Sequence, residues 1–153
     1  MPALDQSATT SLSRSVAIIG PVPHEFEHLL TDGALDFVAD LVRRVRPSIA
    51  AAFADQAPLL TGPAEFTDVA RELHRLDPAF EVDGQPVSAG LFDFGLFVYH
   101  NADRLTPRGS APYFHLPRFS APRDAELWTE AFVAAQNALG VPRGSIRARI
   151  RRV

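Results

Sequence analysis

Apolar positions recur at two different intervals along this chain, and the change of interval marks its elements. Val16 to Ile19 is a short apolar run stopped by Gly20 and Pro21, the pattern of one strand. Thr31 or Asp32 can cap a helix in which Leu35, Val38, Leu41, Val42 and Val45 fall at helical spacing. Pro47 then predicts a break or kink, with a second helical piece from Pro47 to about Gln56. Pro58, Gly62 and Pro63 read as a connection, and Glu65 to Leu76 reads as a short helix with Phe66, Val69 and Leu73 on one side. Phe80 to Val87 predicts a hairpin about Asp83-Gly84, a pair that tolerates the positive φ of a tight turn.

Ser88 can cap a further helix with Leu91, Gly95, Val98 and Ala102 in one stripe and Phe92, Leu96 and Tyr99 in the next, a strand over 91–99 being the rival reading. Arg108 to Pro112 reads as a turn, and Tyr113 to Leu116 as a short strand between prolines. Pro122 suits the first turn of a helix to Leu139, with Ala125, Trp128, Phe132, Ala135 and Leu139 on one face and Gly140 as its left-handed stop. Ile146, Ala148 and Ile150 alternate with arginines, which predicts a strand with one basic face. From about residue 80 the order is helix, strand, helix, strand, the alternation of an α/β protein with parallel strands, while the first half is mainly helical.

Composition narrows the function classes. The 153 residues suit one small domain, too short for a complete eight-stranded barrel of roughly 200 residues or more. Apolar residues at 46% provide for a core, and the absence of cysteine excludes disulfides, thiolate metal sites and a cysteine nucleophile. A formal net charge of −3 argues against a general nucleic-acid binder, although all 15 basic residues are arginine. Residues 1–15 carry Ser or Thr at six positions and read as a flexible lead, without a signal sequence. With no apolar run long enough to span a bilayer, the expectation is a cytoplasmic protein without a membrane partner.

Two local patterns suggest chemistry. His24-Glu25-Phe26-Glu27-His28 satisfies H-E-x-x-H, in which two histidines one helical turn apart hold zinc and the glutamate activates a water. Here the motif follows Pro21 and Pro23, so it falls on a first helical turn, and a third ligand has only Glu65 or Glu72 as available candidates. The plainer reading is an acidic helix entry, favourable to the helix dipole. The arginines at 143, 147, 149, 151 and 152, with no acid among them, make a basic end that reads as a solvated strand face or as a phosphate-binding tail. His74, His100 and His115 are scattered, and neither a glycine-rich phosphate loop nor a G-x-S-x-G elbow is present.

Read as one string, Val82-Asp83-Gly84-Gln85-Pro86-Val87-Ser88-Ala89-Gly90-Leu91-Phe92-Asp93-Phe94-Gly95-Leu96-Phe97-Val98-Tyr99-His100-Asn101-Ala102 resembles the A-type malate synthases of the glyoxylate cycle. Arg108 to Pro117, Leu127-Trp128 through Phe132, and Leu139 to Ala148 resemble the family segments that follow. Gly20-Pro21-Val22-Pro23 and Leu30 to Pro47 are similar to its N-terminal helical segment. The resemblance implies an α/β fold, an incomplete fragment of a TIM-type (β/α)8 barrel of which this chain supplies about two strands. The implied organisation is a lead over 1–15, a helical N-terminal segment over 16–63 and a partial barrel over 64–153.

It also implies a transferase reaction. Acetyl-CoA is deprotonated to an enolate that attacks Mg-bound glyoxylate, and the thioester is then hydrolysed to malate. That chemistry requires a carboxylate base, a metal to polarise the aldehyde and an arginine to stabilise the enolate oxygen. Where the family has Arg-Pro-Arg-Gly this chain reads Val69-Ala70-Arg71-Glu72, so Arg71 alone is carried over as a catalytic residue. The block bearing the barrel's opening strand, between Thr61-Gly62-Pro63 and Leu73-His74, has no counterpart. Where the family places a metal-binding glutamate the chain reads Ile150-Arg151-Arg152-Val153, and the remaining metal and base carboxylates lie further downstream in the family. The expectations are therefore a malate synthase relative with acetyl-CoA and glyoxylate as its substrates, no Mg held by this chain and no turnover alone. Uncovered barrel surfaces predict self-association or docking on a full-length enzyme. The alternative is a small zinc protein or peptidase using His24 and His28.

Overall fold

The computed structural model describes residues 16–57, 59–60, 70–105, 113–119 and 121–150. Strand β1 (Ala17–Ile18) leads through a 3-10 turn (His24–Leu29) into helix α1 (Asp32–Ala52). Then come β2 (Leu59–Leu60), β3 (Arg75–Val82), β4 (Gln85–Ser88), α2 (Ala89–His100), β5 (Phe114–Leu116), α3 (Pro122–Leu139) and β6 (Ala148–Ile150). No helix among the described residues is long and apolar enough to cross a membrane.

Thr31 caps α1, its Oγ1 accepting from the Ala34 N–H at 3.2 Å. The expected break at Pro47 does not occur, and α1 runs unbroken to Ala52. Proline there removes only one helical bond and lies on the exposed side, while Leu41, Val42, Val45 and Ile49 remain buried along the face that packs inward. Ser88 caps α2 as expected, accepting from the Leu91 N–H at 3.3 Å, so residues 91–99 are helical and the strand reading fails. Helix α3 begins at Pro122 and stops at Gly140 with φ of 71°.

The short helix expected to Leu76 is not found in its described part: 70–74 is irregular and turning, and Arg75 already belongs to β3. This backbone is tied outward, with the Ala70 N–H donating to the His115 carbonyl at 2.8 Å and the Gly90 N–H to that of Glu72 at 3.2 Å. Those partners replace the bonds that a helix would make with itself. Residues 61–69, like the turn expected over 108–112 and the lead over 1–15, lie outside the described residues.

Strand β3 organises the larger sheet. It pairs antiparallel with β4 on one side and, on the other, with β1 antiparallel and β2 parallel. The hairpin turns at Asp83 and Gly84, with φ of 56° and 76°. Along β3 the register passes from Asp77 opposite Val87 to Glu81 opposite Pro86, so four steps on β3 meet one on β4. That odd excess reverses the alternation of faces and lets Asp77, Phe80 and Val82 all be buried.

Strands β5 and β6 form a separate parallel pair joined through α3. The expected α/β alternation is thus present, in open sheets with a mainly helical first half. Around these elements Phe94, Phe114, Trp128 and Phe132 build an aromatic core. Phe94 stacks on Phe132 at 5.0 Å and meets Trp128 edge-on at 5.8 Å.

A candidate site around Arg71

The described segment before β3 delivers one arginine to the place where β3 and α2 converge. Gly90, in the first turn of α2, lies so close that a Cβ on it would come 2.6 Å from the Arg71 carbonyl oxygen, so the helix start touches strand-side backbone directly. Ser88 fastens the same junction, its Oγ donating to the Leu73 carbonyl at 2.6 Å. One turn into α2, Asp93 faces Arg71. The Arg71 backbone N–H and Nε donate to Asp93 Oδ2 at 2.9 and 3.0 Å, and Nη2 donates to Oδ1 at 3.0 Å. Nη1 turns to β3 and donates to Asp77 Oδ2 at 2.8 Å. The other Asp77 oxygen accepts from the Ala79 N–H at 2.9 Å, beside Pro78, which has no N–H to offer the ladder.

All three guanidinium nitrogens therefore donate to two carboxylates that are almost fully enclosed, Asp77 with 1% and Asp93 with 9% of the side chain accessible. Burial pulls the Arg71 pKa down, but the bonds and charges of Asp93 and then Asp77 outweigh it and hold the value above normal. Burial pushes the Asp93 carboxyl up against the opposing pull of the same arginine. Among the described residues one cation here faces two carboxylates, so they leave it no surplus positive charge with which to meet an oxyanion, and the geometry is that of a junction between strand and helix.

The other sequence-predicted residues lie elsewhere. His24 and His28 are on the 3-10 turn, where three residues per turn bring His24 beside Glu27 rather than His28. His24 Nδ1 is 3.1 Å from Glu27 Oε2, and its side chain is almost wholly exposed. Of the third-ligand candidates, Glu72 pairs with His74 and Arg75, and Glu65 lies outside the described residues. Among the described residues no group of three or more His, Asp or Glu side chains could hold a metal. Magnesium does not fit the Arg71 cluster either, since both carboxylates there are bonded to the guanidinium.

Asp77 and Asp93 were not singled out from the sequence. A signal for Asp93 existed: it is the one charge in the apolar run from Ala89 to Tyr99, and a buried carboxylate needs a cation. Asp77 had none, because its burial follows from the register irregularity in β3.

A parallel strand pair joined through a helix, beside an open sheet whose junction with α2 is closed by a buried arginine and two aspartates, makes this an open α/β fragment. Residues 69–151 match the family model described as "Malate synthase, TIM barrel domain", and the chain belongs to the malate synthase family. A malate synthase of Myxococcus xanthus is 34% identical over 158 residues, covering 90% of this chain and 29% of the relative. A glyoxysomal malate synthase of Cucurbita maxima is 31% identical over 162 residues with the same coverage. A bifunctional glyoxylate cycle protein of Caenorhabditis elegans is 45% identical over 69 residues, 45% of this chain and 7% of that protein. The chain thus spans under a third of the length of the first two relatives. The two longer matches exceed the 153 residues of the chain itself, so the relatives carry residues inside the matched stretch that have no counterpart here.

Proposed function

We propose that the chain descends from an enzyme joining acetyl-CoA and glyoxylate, with water, to malate and CoA in the glyoxylate cycle, and that these 153 residues do not catalyse that reaction by themselves. The match over 69–151 carries the first part of the reading. The second is supported by the Arg71 cluster. The reaction needs a carboxylate base and a cationic group at the developing enolate oxygen. Here Arg71, the residue matching the family's arginine, directs its nitrogens to Asp77 and Asp93, and both aspartates are engaged in return. In the family, magnesium polarises the glyoxylate aldehyde. We place the chain in the cytoplasm, a reducing compartment with which a cysteine-free sequence is compatible.

Incubating the folded chain with acetyl-CoA, glyoxylate and Mg, while following CoA and malate together, tests this reading. No product above the protein-free blank is expected. Product formation above that blank would overturn it.

A second reading, a relict barrel segment that associates with its own copies or with a full-length relative, is favoured by β6. Among the described residues this strand has β5 as its one neighbour, and Ile150 and Tyr113 beside it are exposed.

A further inference from the structure

The C-terminal half of α1 and the β3–β4 hairpin flank a cleft of about 360 Å³, walled by Val42, Ile49, Ala50, Phe53, Leu76 and Pro86. Phe53 and His74 stack at 4.7 Å in its wall. Among the described residues Arg46 is the one arginine lining it. Its Nη1 donates to the Val82 carbonyl at 3.0 Å and its Nη2 to those of Gln85 and Pro86 at 3.3 and 3.5 Å. These acceptors are neutral, so they fix the guanidinium without cancelling its charge.

Asp83 is near enough for its charge to be felt, but Arg43 holds both its oxygens, Nε to Oδ2 and Nη2 to Oδ1, each at 3.0 Å. Among the described residues no carboxylate lies within ion-pair distance of Arg46. Burial accordingly pulls the Arg46 pKa down. The remaining titratable group in the lining, His74, has Glu72 Oε2 at 3.3 Å from its Nε2.

A half-buried cation without a counter-ion beside an apolar cleft is matched by a molecule that brings an anionic head and an apolar body. One lining cation calls for one carboxylate. We propose that this cleft binds a short apolar monocarboxylate, with its carboxylate on Arg46 and its body against Ile49, Phe53 and Leu76. Gln56, Gln85 and Ser88 also line the cleft, but glyoxylate and malate lack the apolar body that Ile49, Phe53 and Leu76 would cover. The proposal is independent of the acetyl-CoA reading.

Titration of the full chain with octanoate, followed by calorimetry and by amide NMR shifts, tests it. Octan-1-ol offers the body without the charge, and malate the charge without the body. Octanoate is expected to bind saturably, with the other two at least about tenfold weaker. Ala50 is exposed on α1, so Ala50→Phe fills the cleft while leaving the Arg46 bonds in place, and it should abolish binding. Arg46→Gln should weaken octanoate by about tenfold or more and leave octan-1-ol unchanged. No saturable octanoate binding, equal binding of octanoate and octan-1-ol, or binding indifferent to Ala50→Phe would each overturn the proposal.

Discussion

The two ends of the family-matched segment are built on opposite principles. At its start, Arg71 is enclosed by Asp77 and Asp93, and Gly90 lets the helix press on the strand-side backbone, so three separate stretches of chain are tied at one point. At its end, the turn leading into β6 is held by the buried Gln136, whose Oε1 accepts from the N–H groups of Gly144 and Ile146 at 3.1 and 3.2 Å. On the strand itself half of Ile150 is exposed, and Arg149 lies over the exposed Tyr113 ring at 4.2 Å. Arginine serves both places. Where carboxylates surround it, it closes a junction; where an aromatic ring and solvent surround it, it covers an edge. The same residue type therefore does not signal the same role at the two ends.

The largest expected contrast comes from taking one partner from the closed end. Asp93→Ala leaves a buried guanidinium short of its main partner and should cost about 3–5 kcal/mol in urea unfolding. A smaller loss, about 1–3 kcal/mol by the same measurement, is expected of Gly90→Ala, because the new methyl meets backbone that must shift. At the open end Ile150→Thr should change stability by less than about 0.5 kcal/mol. If β6 mediates self-association, sedimentation velocity should show that association weakened in the same variant. A substantial destabilisation by Ile150→Thr would erase the contrast.

Much of this architecture was legible in the sequence, because the elements that announce themselves locally are self-contained. Thr31, Ser88, Pro122 and Gly140 mark helix ends through bonds or backbone angles within a few residues, and Asp83-Gly84 marks its hairpin the same way. The misses are decided over longer distances. Pro47 could be tolerated only because its side of α1 faces solvent, which depends on how α1 packs against the rest. The helix expected up to Leu76 gave way because Ala70 and Glu72 find partners at His115 and Gly90. At the site, family resemblance pointed to Arg71, but its carboxylates come from positions 6 and 22 residues further along the chain. No local spacing rule connects Arg71 to Asp77 through an irregular strand register.

Arg71 is consumed by the junction it closes. A double-mutant cycle by urea unfolding, with Arg71→Met, Asp93→Leu and the pair, measures this most directly. Each single change is expected to be severely destabilising and the pair to cost well under the sum of the two, with a coupling of about 1–3 kcal/mol. Single variants within about 0.5 kcal/mol of the parent, adding without coupling, would contradict it.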